Sequence, residues 1–157
     1  MPIIHLTTVI GAPRERVFDL ARSIDAHQDS TSGTGERAVA GVTQGLIGLH
    51  EEVTWEARHL GVRQHLTVRI TALERPKHFQ DIMVKGAFRR MTHDHDFVDH
   101  PQGTLMTDRF DFASPFGVLG AVVDRLFLAG YLRRFIVQRN EILKRMAESE
   151  EWRRYLR

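Results

Sequence analysis

From Arg37 to Ala113 a two-residue apolar period recurs through successive segments, and after Phe112 the period changes to that of a helix. That switch constrains the fold more than any single motif. Side chains alternate across a strand, so a two-residue period marks strands with one packed and one wetter face. In EEVTWEARHL, Val53, Trp55 and Ala57 share a face opposite Glu52, Thr54, Glu56 and Arg58. In QHLTVRITAL, Leu66, Val68 and Ile70 oppose His65, Thr67, Arg69 and Thr71. HFQDIMVKG, FRRMTHDHDFV and TLMTDRFDF continue the series, and the short AVAGV precedes it. Pro101-Gln102-Gly103 reads as a hairpin connection.

The flanks of this region read differently. HLTTVI is a first strand, stopped by Gly11-Ala12-Pro13, and RERVFDLARSI then gives a short helix with Val17, Leu20 and Ile24 on its apolar side. DSTSGTGERA is polar and reads as a loop. Ser114-Pro115 is a helix-start signal. Beyond it Val118, Val122, Leu126, Phe135, Ile142 and Met146 keep a helical period, widened by Leu119, Val123, Leu132, Ile136 and Leu143. One long amphipathic helix is expected over roughly 120–148. The order is strand, helices, about six strands, long helix. A strongly curved antiparallel sheet wrapped around that helix would bury both apolar faces, which makes the fold class α+β.

Composition removes several function classes. The chain has 157 residues, enough for one domain with a real core, and no cysteine. Disulfides, thiolate-bound zinc and cysteine nucleophiles are therefore excluded. The formal net charge is only +2, and glutamates interrupt the late basic clusters, so nucleic-acid binding is not expected. MPIIHLTTVI lacks the parts of a signal peptide, and no apolar run approaches the roughly 18 residues of a spanning helix. A cytoplasmic location is the expectation. GxxxxGK[ST], HExxH and GxSxG are absent.

The stretch RRMTHDHDF carries the candidate chemistry. Strand parity splits it into a face of Met91, His93, His95 and Phe97 and a face of Thr92, Asp94 and Asp96. The histidine face is the better candidate for the interior. His-x-His on one strand supplies two metal ligands and needs a third from elsewhere; Asp108, Asp111, His65 and His78 are the candidates, and no metal or other cofactor is assigned. A His–Asp pair across strands, such as His95 with Asp108, would orient an imidazole for acid–base work near neutral pH. Trp55 could stack on a flat ligand or simply fill the core, and Arg89, sharing parity with Met91, could hold a carboxylate or phosphate.

The order of elements, with HLTTVIGAPRERVFDLA, VTWEAR, ITALERPKHF, GAFRRMTHDHDF, GTLMTDRFDF with its Ser-Pro turn, and YLRRF, resembles the SRPBCC superfamily. That superfamily is also called START-like or birch-pollen-allergen-like. The likeness is to its polyketide cyclase/dehydrase-like and coenzyme-Q-binding-like bacterial members. It implies a helix-grip fold: a curved seven-stranded antiparallel sheet around a long C-terminal helix, with short helices after the first strand. It also implies a cavity for a lipid, quinone or aromatic polyketide-like molecule.

On this basis residues 1–148 are expected to form a ligand-binding domain and 149–157 a basic, partly amphipathic tail. The partner expected is a small hydrophobic or amphipathic ligand. Trp55, Arg89, Met91, Phe97, Phe110 and Leu126 are the expected ligand contacts. His93, His95 and Asp108 would be the acid–base groups of the alternative, a cyclase or dehydratase. Trp152 and Tyr155 in the tail are placed either to dock on the domain or to touch a membrane surface, and the oligomeric state stays open.

Overall fold

The computed structural model describes residues 2–156. Seven strands form one antiparallel sheet: β1 (Ile3–Ile10), β2 (Arg37–Gly41), β3 (Glu52–His59), β4 (Val62–Glu74), β5 (His78–Lys85), β6 (Arg90–His100) and β7 (Gly103–Ala113). Their order across the sheet is β1-β7-β6-β5-β4-β3-β2. Every neighbour but one is also a neighbour in sequence, so the sheet is a meander that β1 joins at its far edge. The chain crosses from β1 to β2 through α1 (Arg14–Ala21) and α2 (Ile24–Ser30).

The alternation read from sequence is the alternation of burial. Along β6, Met91, His93, His95 and Phe97 are buried, and along β7, Thr104, Met106, Asp108, Phe110 and Phe112 are. Two glycines are needed where they stand. Gly41 has φ +74 and a side chain there would sit 2.2 Å from the carbonyl oxygen of Glu52. Gly103, at φ +135, closes the two-residue β6–β7 turn within 2.3 Å of the Ile10 carbonyl oxygen, measured from where a Cβ would be.

The long C-terminal helix fills the concave side in three continuous parts. They are α3 (Gly117–Val123), a π-helical segment over Asp124–Leu128, and α4 (Ala129–Glu148). This confirms the helix-grip fold and corrects its details. Ser114-Pro115 lies before the helix, whose N-cap is Phe116. The Ser114 amide donates instead to Asp124 Oδ2 at 2.8 Å. The apolar stripe divides at the π segment. Leu132, Ile136, Leu143 and Met146 are buried, but Val118, Leu119 and Leu126 are 85%, 72% and 66% exposed. Part of the loop expected at DSTSGTGERA is the end of α2.

Ser149 caps a 3-10 turn over Glu150–Arg154 by accepting the Glu151 amide. Trp152 packs on the core under the Arg16 guanidinium, 4.3 Å from its ring centre. The Tyr155 hydroxyl donates to Asp29 at 2.5 Å. Both aromatic residues of the tail are thus docked on α1 and α2. Among the described residues no helix is long and apolar enough to cross a membrane.

Candidate functional site

Between sheet and helix lies a cavity of about 520 Å³. Its walls are mostly apolar. Trp55, Val68 and Ile70 come from β3 and β4, Met91 and Phe110 from β6 and β7, and Leu132 and Ile136 from α4. A wall of this kind desolvates an apolar molecule, and a few polar groups then fix its orientation.

The main polar feature is a buried network centred on Asp108. The β6–β7 register sets His95 directly opposite Asp108 and His93 opposite Phe110. The tight bond nevertheless comes from the neighbour two residues away. His93 Nε2 lies 2.8 Å from Asp108 Oδ1. Nδ1 of His95 stands 3.2 Å from the same oxygen, close enough for charge attraction but without the alignment of a hydrogen bond. His95 Nε2 reaches Asp81 Oδ2 on β5 at 3.0 Å. From α4, Arg139 Nη2 donates to Asp108 Oδ1 at 3.0 Å and Asn140 Nδ2 donates to Asp108 Oδ2 at 2.7 Å. Asn140 Oδ1 in turn accepts Arg139 Nη2 at 2.7 Å. The network therefore ties the centre of the sheet to the helix it grips.

Burial and charge push the two histidines apart. Burial lowers the pKa of His93 to about 4, helped by its positive neighbour His95 and only partly opposed by Asp108. Burial also disfavours charge on His95, but the carboxylates of Asp108 and Asp81 outweigh it and raise its pKa. Burial penalises the carboxylate of Asp108, yet Arg139 and the histidines hold it well below the usual range. Asp81 is lowered as well: burial opposes its charge and the hydrogen bond from His95 prevails. With Asp108 ionised and able only to accept, neutral His93 must carry its proton on Nε2. Its Nδ1 lone pair has no hydrogen-bond partner among the described residues. The surroundings thus favour the neutral form of His93 and the charged form of His95.

A pH dependence of stability follows. His93 titrates near 6.5 unfolded and about 4 folded, so the unfolded chain binds more protons between those values. Its contribution is present above the unfolded pKa and lost as pH falls towards 4, by roughly 3 kcal/mol at most. His93→Gln keeps a donor for Asp108 and removes the titration. Urea denaturation from pH 7 to 4.5 is expected to show a shallower stability loss for the variant. Parallel curves would refute the assignment.

Asp81, His93 and His95 are the residues that could hold a cation, with ligand atoms within 4.8 Å of one another. Their geometry favours a charge network instead. The two ring centres lie 3.8 Å apart with their planes tilted by 32°. Each Nε2 already faces a carboxylate, and Arg139 adds a fixed positive charge. A tetrahedral site would require all of these to rearrange.

A second polar group lines the same cavity. His27 Nε2 lies 2.7 Å from Glu36 Oε1, and the His27 ring covers one face of Trp55 at 4.2 Å. His59 Nδ1 and the Tyr131 hydroxyl are 2.8 Å apart, and burial lowers the pKa of His59.

Of the residues expected from sequence, Trp55, Met91, His93, His95 and Phe110 stand in the cavity wall, and Asp108 is wholly buried behind it. Three stand elsewhere. Phe97 is sealed in the core between Phe18 and Phe79. Arg89 is exposed on the connection before β6, and Leu126 points outward from the π segment. Asp81, Arg139 and Asn140 escaped the sequence reading. The signal for each was a polar residue in an apolar register: Asp81 shares strand parity with Phe79 and Met83, and Arg139 and Asn140 interrupt the stripe between Ile136 and Leu143.

These features define a cavity-forming helix-grip fold of the kind typical of SRPBCC proteins that take small hydrophobic ligands. The match is to the family described as polyketide cyclase/dehydrase and lipid transport, over residues 1–148, and the chain belongs to that family. Solved structures show the same fold at low identity. TTHA0849 from Thermus thermophilus is 16% identical with a TM-score of 0.76, covering 93% of this chain and 97% of its own. CV1439 from Chromobacterium violaceum is 13% identical with a TM-score of 0.75, covering 95% and 99%. Major latex-like protein 151 of Panax ginseng is 13% identical with a TM-score of 0.70, covering 93% and 97%. No curated protein matches the chain.

Proposed function

We propose that the protein binds a small hydrophobic or amphipathic molecule, such as a lipid, a quinone or an aromatic polyketide-like compound, inside this cavity. The observation that carries the reading is a space of about 520 Å³, walled largely by apolar side chains and interrupted by His93, His95 and Arg139. Apolar burial supplies the affinity, and the polar groups orient one end of the ligand. Native mass spectrometry of protein purified from its own cells is expected to show a bound organic molecule that solvent extraction removes. Trp55→Ala should weaken rebinding of the extracted molecule by about tenfold or more, the loss expected for a large aromatic contact. A ligand-free mass, together with no uptake of any apolar probe, would overturn the reading.

The split between the two histidines favours a second reading, a cyclase or dehydratase. Environments that force paired groups apart assign an acid and a base. Neutral His93 would take a proton from the carbon beside a ketone through Nδ1, and charged His95 would stabilise or protonate the oxygen. The extracted ligand decides between the readings. If it is a polyketide-like ketone, the protein should convert it and His95→Gln should abolish turnover while leaving binding intact. An unchanged ketone would exclude the enzyme.

A further inference from the structure

We infer that Asp124 and Ser114 form a second polar anchor in the cavity, which receives a hydroxyl or protonated amine on the far end of the bound molecule. This rests on the binding reading above and adds the chemistry of the ligand.

Asp124 is 2% exposed and lies at the start of the π-helical segment. Such segments re-aim side chains out of the regular helical register, and they concentrate at functional positions. Its Oδ2 accepts the Ser114 amide at 2.8 Å. Its Oδ1 is buried and has no hydrogen-bond partner among the described residues. The Ser114 hydroxyl is also buried without a partner among them. Both residues line the cavity. A cap for the Ser114 amide accounts for one carboxylate oxygen only. Leaving the other oxygen and a hydroxyl unpaired is costly in the same way as any buried polar group without a partner. A hydrogen-bond donor entering from the cavity would satisfy Oδ1, and the serine hydroxyl can then donate or accept beside it.

The anchor is remote from the histidine network. Asp124 and Arg139 are fifteen residues apart on the continuous helix, about 22 Å at 1.5 Å per residue. Asp108 and Ser114 are six residues apart along and just beyond β7, about 20 Å at 3.3 Å per residue. Hydrogen bonds bridge helix and strand at both ends of this span, Arg139 to Asp108 at one and Ser114 to Asp124 at the other, and the two measures agree. The ligand class is therefore an elongated apolar molecule with polar groups at both ends, the end at Asp124 being a donor.

The test is displacement of the fluorescent apolar probe N-phenyl-1-naphthylamine at neutral pH. The competitors are dodecylamine, 1-dodecanol and dodecanoate, which share a chain and differ in the head group. The native protein should prefer the amine over the alcohol by at least about tenfold, the worth of one hydrogen bond between charged groups, whereas dodecanoate can turn its head to Arg139 at the opposite end. Asp124→Asn keeps an acceptor for the Ser114 amide but loses the charge. With each competitor scored against the variant's own probe affinity, it should shrink that preference to less than about threefold, a weaker bond to a neutral acceptor. Probe binding with no preference for the amine over the alcohol, or with that preference unchanged in Asp124→Asn, would overturn the anchor alone. A protein that takes up no probe would overturn the binding reading and the anchor with it.

Discussion

Arg139→Leu is expected to lower the stability of the fold by about 3–5 kcal/mol, the cost of leaving a buried charge without its partner. The reason is Asp108. It is fully buried and shares Oδ1 with Arg139 and His93, so removal of the guanidinium takes away the one permanent positive charge bonded to the carboxylate. Leucine fills part of the space but offers no donor. Asn140 also loses the guanidinium that its Oδ1 accepts. The loss should appear in urea denaturation as a lower midpoint with an unchanged slope. A chain of this size would melt lower by roughly 6–20 °C, at about 2–4 °C per kcal/mol. Asp108→Asn in the Arg139→Leu background should restore part of the loss, because an uncharged amide needs no counter-ion. Losses that simply add would show that Arg139 and Asp108 act independently, contrary to their 3.0 Å contact.

The particular residues show what a sequence of this kind makes legible. Period two placed Met91, His93, His95 and Phe97 on one face because that face has one rule: it packs. The seven strands and the gripped helix follow from the same alternation and the change of period after Phe112. What the pattern could not convey was distance across the sheet. Asp81 meets His95 only because β5 lies beside β6 in a particular register, and Arg139 meets Asp108 only because the folded chain brings α4 to β7 there. Arg139 stands in a helix rich in arginine and lysine, yet it is only 6% exposed. A polar residue in an apolar stripe was the visible cue, and it needed a partner from another element to acquire meaning. The exposed part of the stripe, from Val118 to Leu126, has the opposite cause. Helical periodicity identifies an apolar face but not what covers it, and here Leu119 and Val123 line the cavity.

Phe97 shows how the same face can carry two roles, and Phe97→Ala separates them. The residue has the parity of His93 and His95, which made it a candidate ligand contact. It is fully buried, edge-on to Phe18 at 5.2 Å and stacked near Phe79 at 5.9 Å. Phe79 in turn stacks on His95 at 4.2 Å, so Phe97 stands one layer behind the cavity wall. Truncation to alanine removes a buried ring and leaves a hole that rigid neighbours cannot close, at a cost of about 3–5 kcal/mol. Direct ligand contact is absent, so probe affinity per folded molecule should change by less than about twofold, under half a kcal/mol. Trp55→Ala is the matching control, since Trp55 forms the wall itself and its loss should weaken binding strongly. Measured with N-phenyl-1-naphthylamine at a temperature where both variants stay folded, the two effects should divide cleanly. A tenfold loss of affinity in Phe97→Ala with native-like stability would put Phe97 in contact with the ligand and move the cavity wall one layer deeper than its place here.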